Sequence, residues 1–327
     1  MAIPTSCRPS ARCACCPNRL NKPTHGYDKR YKNNVFPGKR SAKNTGIAQN
    51  RDMNVALRTF MNPWLKTPET RLLLAHITGK DKTWWLAHPE AAPSPAEQKK
   101  LQAAEKRLQA GEPLPYILGR WEFYGLDFDV SPDVLIPRPE TELLIDVARR
   151  WLAERSPLGT GLRGLDVGTG SGIIPITLAT LLPQAQFMAA DISPAALNIA
   201  RRNAEKHGVS ARIQFTQADL LPQADSTFDL ITANLPYIPS ATLRGLPIFG
   251  HEPTLALDGG ADGLELIRRL AAQVAASRIQ WGLFLLEMEY RQGAALKALL
   301  RENFPDANIS IQKDLAGLER LAVARQT

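Results

Sequence analysis

A glycine-rich loop near the middle of the chain carries the residue types best suited to hold a small ligand. An apolar run that ends in Asp166 and Val167 leads into the loop, and a second apolar run, 173–182, follows it. The loop consists of Gly168, Thr169, Gly170, Ser171 and Gly172. Glycines let a ligand approach the backbone, and free N–H groups at the start of a helix attract it. The pattern predicts a strand, a nucleotide- or nucleoside-binding loop and a helix; a tight turn that binds nothing is the alternative.

Two acidic residues follow the next predicted strands and could contact the same ligand. Residues 186–190 form a predicted strand that ends in Asp191. A carboxylate about 20 residues beyond such a loop binds ribose hydroxyls in nucleotide-binding sheets. A third strand-like run, 213–216, is followed by Asp219 and Leu220, and the Asp219 carboxylate could reach an adenine edge.

Four consecutive residues, Asn234, Leu235, Pro236 and Tyr237, follow a predicted strand over 230–233. Ligands in such sheets lie outside the carboxyl ends of the strands, so this motif is expected over the glycine loop. The Asn234 amide oxygen and the Leu235 carbonyl oxygen, restrained by Pro236, can both accept hydrogen bonds from one NH₂ group. Tyr237 supplies a flat face for a planar amide or base. An ordinary turn after a strand is the alternative, because Asn and Pro are common in turns.

Such a set of acceptors suits methyl transfer from S-adenosylmethionine to a nitrogen. The donor carries a sulfonium leaving group, so the chemistry requires no metal and no strong base. The protein must align nucleophile, methyl group and sulfur. Acceptors for the protons of a poor nitrogen nucleophile would stabilise the charge that develops in the transition state.

Composition and charge restrict the classes of protein that remain. The chain has 327 residues, enough for two domains, and a net charge of +8. Residues 1–52 hold 11 Lys and Arg against two acids, a net +9, which leaves −1 for residues 53–327. A nearly neutral body argues against an enzyme that binds ribosomal RNA. No long apolar run or secretory signal occurs, so we expect a cytoplasmic protein that has no membrane contact.

All cysteines lie in the basic N-terminal segment. Cys7, Cys13, Cys16 and His25 could in principle hold zinc, but no second pair completes the pattern, so no metal is expected. The absence of cysteine from the rest of the chain suits a reducing compartment. Residues 1–52 are predicted to be a disordered extension or the result of a start assigned too early, with Met53 or Met61 the true start. A transit peptide for organellar import is less favoured.

The elements that position the candidate residues form successive domains. Helix caps at Thr67 and Ser94, with apolar periodicity, predict a helical domain over 53–112. A connector with a β-hairpin around Gly125 is predicted over 113–135. The last domain is predicted over 136–327, and from Arg163 onward its strands alternate with helices, which is typical of a parallel sheet with helices on both faces. This last part opens with Ile136-Pro137-Arg138-Pro139-Glu140-Thr141-Glu142, a stiff segment that could be a rigid linker or a wall of the site.

The chain from about Thr67 to Arg325 resembles the HemK/PrmC family of release factor glutamine methyltransferases. The glycine loop, Asp191 and the motif at 234–237 match the general plan of amino-methyltransferases. More specific matches are the segments at 136–142 and 111–116, Glu252-Pro253 with 256–260 and Gly263, and the ending at 318–320.

The resemblance implies a class I S-adenosylmethionine-dependent methyltransferase fold: an α/β, Rossmann-like fold with a mostly parallel seven-stranded sheet, preceded by a small helical bundle and a β-hairpin connector. It implies methyl transfer to the side-chain amide nitrogen of the glutamine in the Gly-Gly-Gln motif of class 1 peptide-chain release factors. The helical bundle would help dock the release factor. A monomer is expected, without direct nucleic-acid binding by the folded body.

The resemblance also implies roles for individual residues. The donor, S-adenosyl-L-methionine, would be bound by Gly168, Thr169, Gly170, Ser171, Gly172, Asp191, Asp219, Leu220 and Asn234. Asn234 and the Leu235 carbonyl would hold the glutamine nitrogen, Pro236 would restrain the turn, and Tyr237 would pack on the amide plane. Glu287 corresponds to an acidic residue that the family places near the site; a solvated strand end is the alternative.

One departure leaves a second enzyme class open. The usual family motif is Asn-Pro-Pro-Tyr, and Leu235 replaces the first Pro, which predicts looser positioning without loss of activity. Asn-Leu-Pro-Tyr also resembles the motif of ribosomal-RNA adenine dimethyltransferases, so an adenine-N6 methyltransferase acting on ribosomal RNA is the alternative. A dinucleotide-dependent oxidoreductase is disfavoured because the third glycine spacing is missing. An RNA- or ribosome-binding protein without catalysis would make no use of the 234–237 motif.

Overall fold

The computed structural model describes residues 64–156, 158–223 and 227–326. The predicted extension, 1–52, and the start of the predicted helical domain, 53–63, lie outside the described residues. No helix of the described ranges has the length and apolar character needed to cross a membrane.

From residue 64 onward, where the description begins, the N-terminal part contains four helices: α1 (Pro68–Thr78), α2 (Lys82–Ala87), α3 (Pro95–Gln109) and α4 (Leu114–Leu118). Thr67 and Ser94 cap α1 and α3, as predicted, and the predicted capping box at Ser94 is present. A second capping box, between Thr67 and Thr70, is not predicted from the sequence. Apolar side chains of α1, α2 and α3 pack into one small core, in which Trp85 is 1% exposed.

The helix α4 is not predicted by the sequence analysis, which treats the prolines around 113–115 as a break. Pro115 lies in the first turn of α4, where a missing N–H group costs no helical hydrogen bond. Proline there is compatible with a short helix, so the connector begins with a helical turn.

A two-stranded hairpin follows, with β1 (Arg120–Phe123) paired to β2 (Leu126–Asp129). Its turn has positive φ angles at Tyr124 and Gly125, 53° and 77°. The buried Asn203 fixes the hairpin to the main domain, since its side chain accepts from the Asp129 N–H and donates to the Asp129 and Ser171 carbonyls. The hairpin is thereby anchored to the glycine loop.

The main domain is built on a seven-stranded sheet of order β5-β4-β3-β6-β7-β9-β8, in which β3 to β7 are parallel. The parallel strands are β3 (Arg163–Val167), β4 (Gln186–Asp191), β5 (Ile213–Gln217), β6 (Thr227–Ala233) and β7 (Gln280–Glu287). The strand β9 (Glu319–Arg325) pairs antiparallel with both β7 and β8 (Asn308–Lys313). The predicted mostly parallel, seven-stranded α/β fold is confirmed.

Helices cover both faces of this sheet. They are α5 (Glu142–Arg155), α6 (Ile173–Leu181), α7 (Pro194–Lys206), α8 (Ser240–Leu243), α9 (Glu265–Ala276) and α10 (Gly293–Asn303), with 3₁₀ turns at Pro139–Thr141, Ser210–Arg212 and Thr254–Ala256. Leu283 and Leu285 of β7 join the core that contains α5 and α6, whereas Phe284 and Leu286 join the core that contains α9 and α10. This alternation is typical of a strand that is buried on both faces.

Candidate functional site

The candidate residues meet at one edge of the sheet, at the carboxyl ends of four neighbouring strands. Val167 of β3 is in register with Ala190 of β4 and Ala233 of β6, and Ala233 is in register with Leu286 of β7. The glycine loop, Asp191, the 234–237 motif and Glu287 are the residues that end or follow these strands. Parallel register therefore assembles them from four separate parts of the chain.

The glycine loop turns through three left-handed residues, Gly168, Gly170 and Gly172, with φ angles of 72°, 55° and 82°. A β carbon on Gly172 would contact Ile176 and Ala200 at 2.7 and 3.2 Å, so this glycine permits close packing against the helices. A β carbon on Gly170 would meet nothing within 4 Å. The middle of the loop therefore faces open space, as a ligand-binding loop requires.

The Asp191 carboxylate holds the loop in this shape. It accepts hydrogen bonds from the N–H groups of Gly170 and Ser193, at 2.8 and 2.9 Å. Burial raises the pKa of the Asp191 carboxyl. Each carboxylate oxygen has a second lone pair, so Asp191 can still accept a hydrogen bond from a hydroxyl group. Its predicted contact with a ribose stays a prediction.

Two buried oxygens close to the loop lack a hydrogen-bond partner of ordinary geometry among the described residues. They are the Oδ2 atom of Asp166 and the Oγ1 atom of Thr169. The other carboxylate oxygen of Asp166 accepts from Thr232 Oγ1 at 2.7 Å, and burial raises the Asp166 pKa to about 6. The Thr169 and Thr232 hydroxyls both act against burial and lower the Asp166 pKa, so Asp166 and Thr169 interact with each other beneath the loop. Asp166 is not among the site residues predicted from the sequence, although an acidic residue in an apolar strand is a usable signal.

The residues that follow β5 behave differently from this group. Asp219 forms an exposed ion pair with Arg269, at 2.7 Å between Oδ2 and Nη2. Leu220 is buried and has a left-handed backbone, with φ of 68°. The Asp219 carboxylate is thus engaged by Arg269 on the surface. Its predicted contact with an adenine edge stays a prediction.

The 234–237 motif contacts the glycine loop directly. A β carbon on Gly168 would lie 2.8 Å from Cδ2 of Leu235, which is only 4% exposed. The Asn234 Nδ2 atom donates to Thr141 Oγ1 at 3.0 Å. The Tyr237 hydroxyl donates to Glu287 Oε1 at 3.3 Å. The 234–237 motif and the glycine loop are therefore in direct contact.

The loop that contains Gly259 and Gly263 packs against the backbone of the 234–237 motif. A β carbon on Gly259 would lie 2.7 Å from the Pro236 carbonyl oxygen, and one on Gly263 would overlap the Tyr237 carbonyl oxygen. The Gln292 side chain donates to that same Tyr237 oxygen at 2.9 Å. The glycines at 259 and 263, which the sequence analysis selects only by resemblance, thus allow the backbone of the motif to sit against this loop.

Glu287 is not a solvated strand end, because it is 2% exposed. Burial is the main cause that raises its pKa to about 7, and the nearby Glu140 acts in the same direction. The hydroxyls of Thr141 and Tyr237, together with Arg320, act in the opposite direction. The Oε2 atom of Glu287 has no hydrogen-bond partner within the described ranges.

The stiff segment at 136–142 forms a wall beside the site. Glu252, 5% exposed, accepts hydrogen bonds from the Ile136 N–H group at 3.2 Å and from Arg138 Nη2 at 2.5 Å. The segment also borders a groove of about 440 Å³. Apart from the segment, the groove is lined by Gly111, Pro113, Pro115, Trp121, Pro247, Ile248, His251 and Glu252. Because Thr141 bonds Asn234, the groove and the motif share this wall.

In the described part of the chain, no group of three or more His, Cys, Asp or Glu side chains is placed to hold a metal ion. The cysteines considered for zinc, in 1–52, lie outside it.

Known proteins resemble both parts of the chain. Residues 158–259 match the family model of a methyltransferase domain, and residues 66–119 match that of the PrmC N-terminal domain. A release factor glutamine methyltransferase from Moorella thermoacetica is 41% identical over 258 residues, which cover 78% of this chain and 90% of the relative. Enzymes with the same name from Bordetella pertussis and Coxiella burnetii are 37% and 38% identical, over 80% of this chain and 95% and 93% of each relative.

Proposed function

The chain belongs to the family of release factor glutamine methyltransferases, and on this premise we propose the reaction in detail. The enzyme transfers a methyl group from S-adenosyl-L-methionine to the side-chain amide nitrogen of the glutamine in the Gly-Gly-Gln motif of class 1 peptide-chain release factors. The predicted resemblance to the HemK/PrmC family is confirmed by the match of the N-terminal domain and by these relatives. They do not favour the alternative of ribosomal RNA methylation.

The observation that carries the proposed mechanism is the arrangement of hydrogen-bond acceptors at Asn234 and Leu235. The Asn234 amide nitrogen is occupied by Thr141, which leaves its oxygen as the free end of the carboxamide. No described residue donates to the Leu235 carbonyl oxygen. Two free acceptors on adjacent residues match the two protons of one primary amide.

The loop beside these acceptors fits the methyl donor. The backbone of Gly168 to Gly172 offers an open surface at Gly170, and Asp191 offers carboxylate lone pairs for hydroxyl groups. When bound, S-adenosyl-L-methionine supplies a methyl group activated by its sulfonium.

The protein's own contribution is to align and polarise the glutamine. Asn234 Oδ1 and the Leu235 carbonyl accept the two amide protons, which localises the nitrogen lone pair. They would also stabilise the positive charge that develops as the new N–C bond forms and the methyl–sulfur bond of the donor breaks, which leaves S-adenosylhomocysteine. The extra proton on the nitrogen would then pass to water. The ring of Tyr237, held at its hydroxyl by Glu287, packs against the amide plane.

The surrounding domains have supporting roles in this proposal. The helical domain, 53–112, and the connector, 113–135, line one side of the groove next to the site and dock the release factor. The methyltransferase domain, 136–327, carries the chemistry. The near-neutral charge of residues 53–327 supports a protein substrate over a nucleic acid. The enzyme acts as a cytoplasmic monomer.

The decisive experiment compares substrates. Purified protein and methyl-labelled S-adenosyl-L-methionine are mixed with a class 1 release factor, with the same factor after Gln→Ala replacement in its Gly-Gly-Gln motif, or with ribosomal RNA. We expect label only on the unaltered release factor. Label on both forms of the factor, on neither, or on the RNA would contradict the proposal.

A variant then tests the assigned acceptor. Asn234→Ala should nearly abolish methyl transfer, while S-adenosylhomocysteine still binds in calorimetry through the glycine loop and Asp191. Asn303→Ala removes an amide that bonds only within α10, and is the matched control. Equal activity of Asn234→Ala and the control would remove the role proposed for Asn234.

A further inference from the structure

Thr141 is a buried residue of the wall segment that touches the substrate motif from across the sequence. It is fully buried and ends the 3₁₀ turn Pro139–Thr141, where its N–H group donates to the Arg138 carbonyl at 3.1 Å. Its hydroxyl oxygen accepts the 3.0 Å hydrogen bond from Nδ2 of Asn234, 93 residues further along the chain.

We propose that Thr141 is the positioning residue that sets the orientation of the Asn234 carboxamide, with the amide oxygen toward the substrate nitrogen. The inference rests on the proposed function, because it assigns the Asn234 oxygen to a substrate NH₂ group. The two ends of a carboxamide are similar in size and differ chiefly in hydrogen bonding. Rotation by 180° would present an NH₂ group to the substrate NH₂ group, two donors that cannot bond. The bond to Thr141 stabilises the productive orientation over the rotated one.

The neighbours of Thr141 explain why its hydroxyl acts as an acceptor for Asn234. A hydroxyl group has one proton to donate and two lone pairs that accept. The buried Glu287 carboxyl interacts with the hydroxyls of both Thr141 and Tyr237, and a carboxylate only accepts hydrogen bonds. Directing the Thr141 proton toward Glu287 leaves the Thr141 oxygen free for the Asn234 amide. Glu287 thus orients Asn234 through Thr141 and holds Tyr237 at its hydroxyl.

The wall segment gives Thr141 a fixed position from which to act. Glu252 binds both the backbone of Ile136 and the side chain of Arg138, three residues before Thr141. The prolines at 137 and 139 restrict the backbone between these anchors. A residue that must select one of two orientations is best placed on such a rigid element.

The test uses the full chain and three substitutions. Thr141→Val keeps the shape and removes the hydroxyl, and Thr141→Ser keeps the hydroxyl. Thr177→Val is the matched control, because Thr177 is a fully buried threonine in α6 whose hydroxyl has no partner among the described residues. Measurements are kcat and KM for methylation of the release factor, S-adenosylhomocysteine binding by calorimetry, and Tm.

We expect Thr141→Val to lower kcat by about 10- to 100-fold. The change in KM should be smaller, and Kd for S-adenosylhomocysteine and Tm should stay close to the control values. Thr141→Ser should restore kcat to within about 3-fold of the parent. If Thr141→Val does not fold, Thr141→Ala replaces it, since the smaller side chain introduces no clash.

Several results would overturn the inference. One is a Thr141→Val enzyme with the parent kcat, and another is a Thr141→Ser enzyme as slow as Thr141→Val. A third is a loss of kcat that follows Tm equally in Thr141→Val and Thr177→Val, which would indicate a structural role alone. A parent enzyme that leaves the release factor unlabelled would instead refute the proposed function, and the inference with it.

Discussion

Gly263 lies against the carbonyl oxygen of Tyr237 so closely that a β carbon on Gly263 would overlap this oxygen. Gly263 also has a left-handed backbone, with φ of 77°. The turn that presents Asn234 and the Leu235 carbonyl therefore keeps its position only if residue 263 has no side chain. Through this contact, Gly263 helps to fix the position of the 234–237 motif.

Gly263→Ala should displace the motif and lower kcat by at least about 10-fold. Gly317→Ala is the matched control, because Gly317 has a similar φ of 81° but open space where a β carbon would lie. In both variants, alanine in a left-handed conformation should lower the free energy of unfolding by about 1–2 kcal/mol. Urea unfolding measures this loss, and only Gly263→Ala should also lose methyl-transfer activity. Equal activities in both would contradict the proposed contact.

The Leu235 side chain connects the 234–237 motif to the glycine loop, so its removal should affect ligand binding at the loop. The side chain is buried against Gly168, so Leu235→Ala should leave a cavity and destabilise the fold by about 2–4 kcal/mol. The cavity lies beside the glycine loop, so binding of S-adenosylhomocysteine should weaken as well. Calorimetry checks the binding, with Leu296→Ala, a fully buried leucine in α10, as the matched control. Equal affinity in the two variants would argue against coupling through Leu235.

Local sequence signals predict much of the fold and the glycine half of the site. The caps at Thr67 and Ser94, the glycine loop and the acid that ends β4 depend on residues close together in the chain. The apolar alternation of strands and helices from Arg163 onward predicts the parallel sheet for the same reason. Helix α4 is missed because proline is permitted in the first turn.

Contacts between distant residues could not be predicted in this way. The bond of Thr141 to Asn234, the support of Tyr237 by Gly263 and the binding of Arg138 by Glu252 join segments that pair only after the sheet forms. Several of these residues stand out in the sequence, but nothing in the sequence shows which of them pair. The burial of Glu287 is hidden for the same reason, since the residues that cover it come from other elements.

Breaking the ion pair of Arg138 and Glu252 should cost far more stability than breaking an exposed pair in the same protein. The Glu252 side chain is 2% exposed, so Arg138→Met would leave a buried charge without its partner, at a cost of about 3–5 kcal/mol. The pair Arg107 and Glu112 has the same 2.5 Å contact but is 50% and 30% exposed, and Arg107→Met should cost less than about 1 kcal/mol. Urea unfolding measures both. The double variant Arg138→Met/Glu252→Gln should recover part of the loss, and strict additivity would contradict the pairing.

Glu287 should make the stability of the protein depend on pH between its two pKa values. Its folded pKa of about 7 lies above the ordinary 4.5, because burial disfavours the carboxylate. Below pH 4.5 the group is protonated in both states. As pH rises toward 7, the unfolded chain releases the proton first, so the free energy of unfolding falls, and above about 7 it levels off. Glu287→Gln lacks this titration. The free energy of unfolding of the variant minus that of the parent should therefore increase by up to about 3 kcal/mol as pH rises across this range.

Urea unfolding of the parent and Glu287→Gln at a series of pH values measures this difference. Glu302→Gln on the exposed surface of α10 controls for the loss of one charge. If the parent and Glu287→Gln gave parallel curves, Glu287 would not be the titrating group. If the difference in unfolding free energy between the parent and Glu287→Gln grows from pH 4.5 to 7, and the control shows no such change, Glu287 is the titrating group. Its carboxyl would then be protonated in the folded protein at acidic pH. Protonation turns one Glu287 oxygen from an acceptor into a donor, which competes with the orientation of the Thr141 and Tyr237 hydroxyls. We therefore expect kcat to fall as pH is lowered through about 7.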